Sequence, residues 1–187
     1  MNQTIEIAID EQVERCRKGD RQAYFEIYTQ YAKPMLNSSM RVLNNLADAE
    51  DMVQEAFADA FKNISAFTYK SSFEAWLRRI VINKSISLVR KKKMIWVDIE
   101  TRQLAETTDE FYDEGRFEYD VKKIKKAISQ LPDTQRIIFN LFAIDEMPQE
   151  EIGKLLGISH NNVRTTYHRA RKKIIELVNQ QVPHERS

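Results

Sequence analysis

Ala49, Met52, Val53, Ala56, Phe57, Ala60, Phe61 and Ile64 recur at three- and four-residue steps, and no glycine or proline interrupts them. Such a stripe lies on one face of an α-helix; on a strand, where side chains alternate every two residues, it would scatter over both faces. The rest of the chain is equally poor in turns. Four Gly and four Pro in 187 residues are too few for a sandwich or barrel. The expected fold class is all-α.

Hydrophobic residues at 42% and charged residues at 30% describe a foldable rather than a disordered chain. The length allows one large domain or two small ones. Cys16 is the only cysteine, so no internal disulfide can form. No segment approaches the ~18 apolar residues of a membrane span. Met1 to Ile9 carries Glu6 and no basic residue, the wrong pattern for a signal peptide, and a cytoplasmic location is expected.

The formal net charge of +1 conceals a division. Residues 1–96 balance at +3, residues 97–120 at −7 and residues 121–187 at +5. The acidic stretch also has the weakest apolar periodicity. It reads as a linker, giving an N-terminal helical domain at 1–93, a linker at 94–120 and a C-terminal helical domain at 121–187.

In the first domain Asp10 and Asp20 suit helix N-caps, and Lys18-Gly19 ends the helix between them. Ala23, Tyr24, Ile27, Tyr28, Tyr31 and Met35 mark a second helix that Pro34 should kink, and Asn44-Asn45 ends it. On the striped third helix, Asp48, Asp51, Gln54, Glu55 and Asp59 form the opposite face. Dipole compensation accounts for Asp48 and Asp51 but less well for Glu55 and Asp59, leaving a basic partner surface as a second reading. A loop at 65–72 carries Phe67, Tyr69 and Lys70. Ser71 or Ser72 then caps a helix from Phe73 to about Lys92, with Trp76, Leu77, Ile80, Val81 and Leu88 inward. From Arg78 to Lys93 there are seven basic residues and no acidic one. Cations beside loop aromatics suit nucleic acid, phosphates being held while rings stack on unpaired bases; burial of Phe67 and Tyr69 in the loop is the alternative.

In the second domain Leu131-Pro132-Asp133 opens a helix whose apolar face is Ile137, Ile138, Leu141 and Phe142. After Met147-Pro148 a short helix runs from Gln149 to Leu156, Gly157 turns the chain, Ile158 anchors it and Ser159 caps a final helix to about Val178. This is a helix-turn-helix pattern. Val163, Tyr167, Ala170 and Ile174 form the inward seam, and Gly153 fits a close approach of the two helices. His160, Asn161, Arg164, Thr165, His168, Arg169 and Lys172 rotate outward. Arginine reads guanine and asparagine reads adenine in the major groove; lysines further along hold phosphates. No His, Cys or carboxylate grouping has metal-ligand spacing, and neither a metal nor a cofactor is expected.

The residues resemble a known family. Asp48-Ala49-Glu50-Asp51-Met52-Val53-Gln54-Glu55-Ala56-Phe57 resembles the region-2 helix of bacterial sigma factors, and Phe73-x-x-Trp76-Leu77-x-x-Ile80-x-x-Asn83 resembles the end of that region. Glu151-Ile152-Gly153-x-x-Leu156-Gly157-Ile158-Ser159-x-x-x-Val163-Arg164-x-x-x-His168-Arg169-Ala170-Arg171 resembles their region 4. With room for only these two domains, the chain is similar to the small extracytoplasmic-function (ECF) group. Where the family usually has an acidic or amide residue four positions after the asparagine, this chain has Ser87.

The resemblance implies promoter-specific transcription initiation without catalysis by this chain. Asp51, Gln54 and Glu55 would dock on the beta-prime clamp helices of core RNA polymerase. Phe67, Tyr69, Lys70, Asn83 and Arg90 would capture the melted minus-10 element of promoter DNA, and the outward residues of the final helix would read the minus-35 element. An anti-sigma factor is implied as a further partner, and the acidic linker would lie in the polymerase's RNA path. Its 27 residues reach about 90 Å extended but average about 30 Å as a coil, against about 70 Å for two turns of duplex. The linker spans two promoter elements only when something holds it extended. The alternatives are a conventional DNA-binding regulator with a sensor or dimerisation domain, and a nucleic-acid enzyme, which no residue grouping favours.

Overall fold

A computed structural model describes residues 2–92 and 121–180, with side chains from residue 9 onward in the first stretch. Among the described residues there are eight α-helices, one 3-10 turn and no strand, as an all-α class requires. The chain divides into two compact units after Val89. The proposed linker at 94–120 lies outside the described residues.

The first unit holds α1 (Asn2–Arg17), α2 (Arg21–Leu43), α3 (Leu46–Lys62), a 3-10 turn (Ile64–Ala66) and all but the last two residues of α4 (Phe73–Lys91). Gly19 takes a positive φ of 83° between α1 and α2, a conformation that costs glycine little. The Asp20 carboxylate accepts from the Gln22 and Ala23 N–H groups and caps α2. Asp10 is a correction: it lies inside α1, because the helix begins at Asn2. Asn44 closes α2 in the left-handed region, and the Asn45 side chain accepts from the Asp48 N–H at 3.0 Å to start α3. α2 runs through Pro34 without interruption; Tyr31, Met35, Ser38, Ser39 and Val42 are buried around it, and that packing offsets the lost backbone donor.

The α3 stripe is the inward face as expected, with Ala49, Val53, Ala56, Phe57 and Ala60 buried. Its aromatics interleave with those of α2: Tyr24 meets Phe61 at 4.8 Å and Tyr28 meets Phe57 at 4.9 Å between ring centroids. The Ser72 hydroxyl accepts from the Ala75 N–H at 3.2 Å and caps α4. Two buried hydroxyls, Ser39 and Ser85, pair at 2.9 Å between α2 and α4, and Ser85 also bonds the Val81 carbonyl. Both polar groups are thereby satisfied inside the core. Cys16 is 1% exposed and burial pushes its thiol up to about 11. It is a small core residue rather than a reactive one.

The second unit holds α5 (Val121–Ser129), α6 (Asp133–Ala143), α7 (Gln149–Leu156) and α8 (His160–Gln180). α5 has no counterpart in the sequence reading. Four lysines among nine residues mask a narrow apolar edge of Ile124, Ala127 and Ile128, which packs with Leu131, Ala170, Ile174 and Val178. So short a helix is marginal alone and is held by that packing. Pro132 and Pro148 sit at the N-cap positions of α6 and α7, one residue earlier than first-helical-position prolines. Arg136, almost buried, pairs with Asp133 at 2.6 Å across the first turn of α6.

Candidate nucleic-acid interface

The turn between α7 and α8 is built by three local devices. Gly157 closes α7 at a φ of 71°, its N–H donating to the Gly153 carbonyl. The Ile158 N–H donates to the same carbonyl at 3.0 Å. The Ser159 hydroxyl accepts from the Asn162 N–H at 3.2 Å and opens α8. Gly153 is buried at the crossing, where a Cβ would stand 2.9 Å from the Ile158 carbonyl oxygen. No side chain fits there without moving backbone, which is the physical reason for glycine at this position. Ile158 is half-buried rather than a fully buried anchor, because the turn carries it to the rim.

Val163, Ala170, Ile174 and Val178 are the buried face of α8. Tyr167, expected in that seam, is half-buried: its ring stacks on Phe139 at 5.8 Å and meets Phe142 edge-on at 4.7 Å, filling the border of the unit. On the other side His160, Asn161, Arg164, His168 and Lys172 are exposed, with Thr165 and Arg169 half-buried beside them. The structure therefore brings all seven candidates onto one accessible helix surface. The His168 ring rests edge-on against Tyr167 at 5.8 Å, which orients it.

In the first unit the candidates are distributed differently. Asn83 and Arg90 are exposed on α4 and, with Ser87, share one stripe at four- and three-residue steps. The Ser87 hydroxyl donates to the Asn83 carbonyl at 2.8 Å, so it is engaged by its own helix. Tyr69 and Lys70 are exposed on the loop. Phe67 is the correction: it is 2% exposed, its ring packed on Tyr69, Phe73 and Trp76 at 4.7 to 5.5 Å. A ring enclosed on this scale anchors the loop and offers no face for a base to stack on. Asn83 lies about 15 Å along α4 from Phe73, at 1.5 Å per residue, so the loop's anchor and the helix stripe are separate contact points.

The loop is fastened from a distant part of the chain. Arg17 donates to the Phe67 carbonyl, pairs with Glu14 at 2.7 Å, and lies over the Tyr69 ring at 5.2 Å. The Tyr69 hydroxyl donates to the same Glu14 oxygen. Tyr69 itself has a φ of 58°, a region uncommon for a bulky side chain. Burial, then the Glu14 bond, pushes its hydroxyl up to about 12. Sequence reasoning missed Glu14 and Arg17, and no local signal marks them, their partners being 50 or more residues away.

Asp51, Gln54 and Glu55 are exposed on α3. Glu55 also has an internal partner: Lys84 of α4 lies 3.3 Å from it and 2.7 Å from Asp59. The bonds to Asp59 and then Glu55 raise the Lys84 ammonium above its ordinary range. Lys84 thus belongs to the α3–α4 junction. Arg78 is likewise paired, with Glu74 one turn before it. Among the described residues no three His, Cys, Asp or Glu side chains are grouped to hold a metal ion, and no helix is long and apolar enough to cross a membrane.

Residues 27–94 match the family described as Sigma-70 region 2, and residues 122–174 match Sigma-70, region 4. The ECF RNA polymerase sigma factor SigW of Bacillus subtilis is 32% identical over 180 residues, covering 91% of this chain and 96% of that protein. The ECF RNA polymerase sigma-E factor of Escherichia coli is 26% identical, covering 87% and 90%. Two solved structures share the fold at 21% identity. The sigma factor RpoE of Bartonella quintana with the anti-sigma factor NepR gives a TM-score of 0.54 over 85% of this chain and 98% of that one. CnrH with the cytosolic domain of CnrY gives 0.53 over 91% and 97%.

Proposed function

Because this chain belongs to the ECF RNA polymerase sigma factors, we propose a division of labour between its two units. The chain is a sigma factor, directing promoter-specific transcription initiation by core RNA polymerase. The observation that carries this reading is the order of two different sigma regions, one in each compact unit.

The exposed α8 surface, through His160, Asn161, Arg164, Thr165, His168, Arg169 and Lys172, reads the minus-35 element in the major groove. Arg164 is the candidate guanine reader and Lys172 a phosphate contact. Tyr69 and Lys70 on the loop, with Asn83 and Arg90 on α4, hold the unpaired minus-10 strand. Phe67 supports them from the core. Extracting a base from the stack costs a few kcal/mol, which a preformed polar and aromatic surface offsets. Asp51 and Gln54, with Glu55 beside them, dock on the beta-prime clamp helices. Residues 94–120 join domains at 1–93 and 121–187 and lie along the polymerase's basic RNA path. The chain acts by binding rather than catalysis, works in the cytoplasm, and is held inactive by an anti-sigma factor.

Run-off transcription tests the reading: core polymerase with this chain, on genomic fragments, yields discrete transcripts absent with core alone. No specific transcript, together with tight binding of the free chain to a two-fold symmetric duplex, would replace it with a conventional regulator.

A further inference from the structure

The loop at 67–72 is fixed by contacts that its own sequence does not supply. Three of them converge from the last turns of α1. Arg17 holds the Phe67 carbonyl and covers the Tyr69 ring, and Glu14 takes the Tyr69 hydroxyl. Arg17 and Glu14 are themselves paired at 2.7 Å through the same Glu14 oxygen that bonds Tyr69, so the three side chains form a closed set. The set holds Tyr69, 42% exposed, in a left-handed backbone conformation that a tyrosine does not ordinarily adopt. Sparsely populated backbone persists where surrounding contacts over-determine it, and such contacts define which single shape a loop presents. Buried Phe67 fixes the other end of the same segment.

We propose that Glu14 and Arg17 are positioning residues for minus-10 specificity: they lock the Tyr69–Lys70 tip in one conformation, so that it discriminates among unpaired bases. The proposal rests on the reading that this loop meets the melted strand. A loop left free to sample several shapes would still bind single-stranded DNA through charge and stacking, which are sequence-tolerant, but would lose base preference. Rigid placement is what converts contact into selection, since a preorganised surface does not reshape itself around a wrong base.

The test uses holoenzyme reconstituted from core polymerase and the full chain. The probe is a pool of fork-junction DNAs whose unpaired non-template stretch is randomised, with bound molecules sequenced. Wild-type holoenzyme is expected to select a base at one or more unpaired positions. Arg17→Ala and Glu14→Ala lower the preference at one of these by about tenfold, the scale of one hydrogen-bonded base contact. Affinity for core and preference in the minus-35 duplex stay unchanged. Arg17→Lys, keeping charge and donors, restores most of the preference. Tyr69→Phe reproduces part of the Glu14→Ala loss, and the double variant is no worse than Glu14→Ala, because the bond that Tyr69→Phe removes is already gone in it. Unchanged preferences in the variants overturn the proposal. So do preferences lost equally at all positions along with thermal stability, which would mark a purely structural role. A wild-type holoenzyme with no preference anywhere in the unpaired stretch removes the loop reading itself, and the proposal with it.

Discussion

Lys84 Nζ lies 2.7 Å from Asp59 Oδ2, joining α4 to the acidic face of α3. The same ammonium reaches Glu55 at 3.3 Å, so one cation of the basic helix is used to order two carboxylates of the neighbouring one. This accounts for the acidic residues that dipole compensation leaves unexplained. It also means that the proposed docking face is not electrostatically uniform: Asp51 and Gln54 are exposed on α3, while Glu55 shares a cation with Asp59.

Charge reversal separates these roles. Asp51→Lys is expected to weaken core binding with little change in stability, whereas Glu55→Lys weakens core binding and also loosens the α3–α4 junction. Lys84→Ala should cost about 0.5 kcal/mol, less at high salt because the pairs are partly exposed. Urea unfolding at low and high salt, with core affinity measured in parallel, checks all three. Since pairing raises the Lys84 ammonium, its stabilisation is intact below the ordinary lysine value and is lost only as pH rises through the raised one.

At the N-terminus of α2 the pH dependence has the opposite sign. Arg15 pairs with Asp20 at 2.8 Å and with Glu26 at 3.0 Å. The Arg15 bond, with the two backbone N–H bonds at the cap, holds the Asp20 carboxyl below the usual range. Its contribution is therefore present above about pH 4, the unfolded value, and disappears as pH falls through the lowered folded value. Thermal melts from pH 6 to pH 2 should show Asp20→Asn converging with wild-type at the acid end. Parallel curves throughout would mean that the ion pair contributes nothing.

Gly153→Ala is expected to destabilise the second unit by about 1–3 kcal/mol, the range for a group forced into packed structure. The added methyl would press on the Ile158 carbonyl oxygen, which is backbone and cannot swing aside. Minus-35 binding should fall with stability, because the same turn sets the angle of α8. A variant that melts and binds like wild-type would show that the crossing has slack.

Arg164→Ala should lose about 1–3 kcal/mol of discrimination at a single base pair, as for a bidentate contact to guanine. Binding to a set of duplexes altered one position at a time provides the comparison. A loss equal across all sequences, with a shallower salt dependence, would reassign Arg164 to a phosphate.

Local sequence pattern is sufficient for the helices that bury a wide stripe, for the Asp20 and Ser159 caps, and for the outward face of α8. Each depends on residues within a few positions of one another, and the helical repeat then dictates which side chains share a side. The reading failed where the outcome depended on distant partners. α5 is not legible in the sequence because its narrow apolar edge gains meaning only against α8, and Asp10 is ambiguous because a carboxylate suits either a cap or an exposed helix face. In a one-dimensional view Phe67 is a candidate DNA contact and Lys84 one of seven residues in a basic run; the tertiary structure makes one a core anchor and the other an interhelical clamp. Residues far apart in sequence meet only after the units fold, and burial and charge pairing then decide which aromatic or cation remains for a partner.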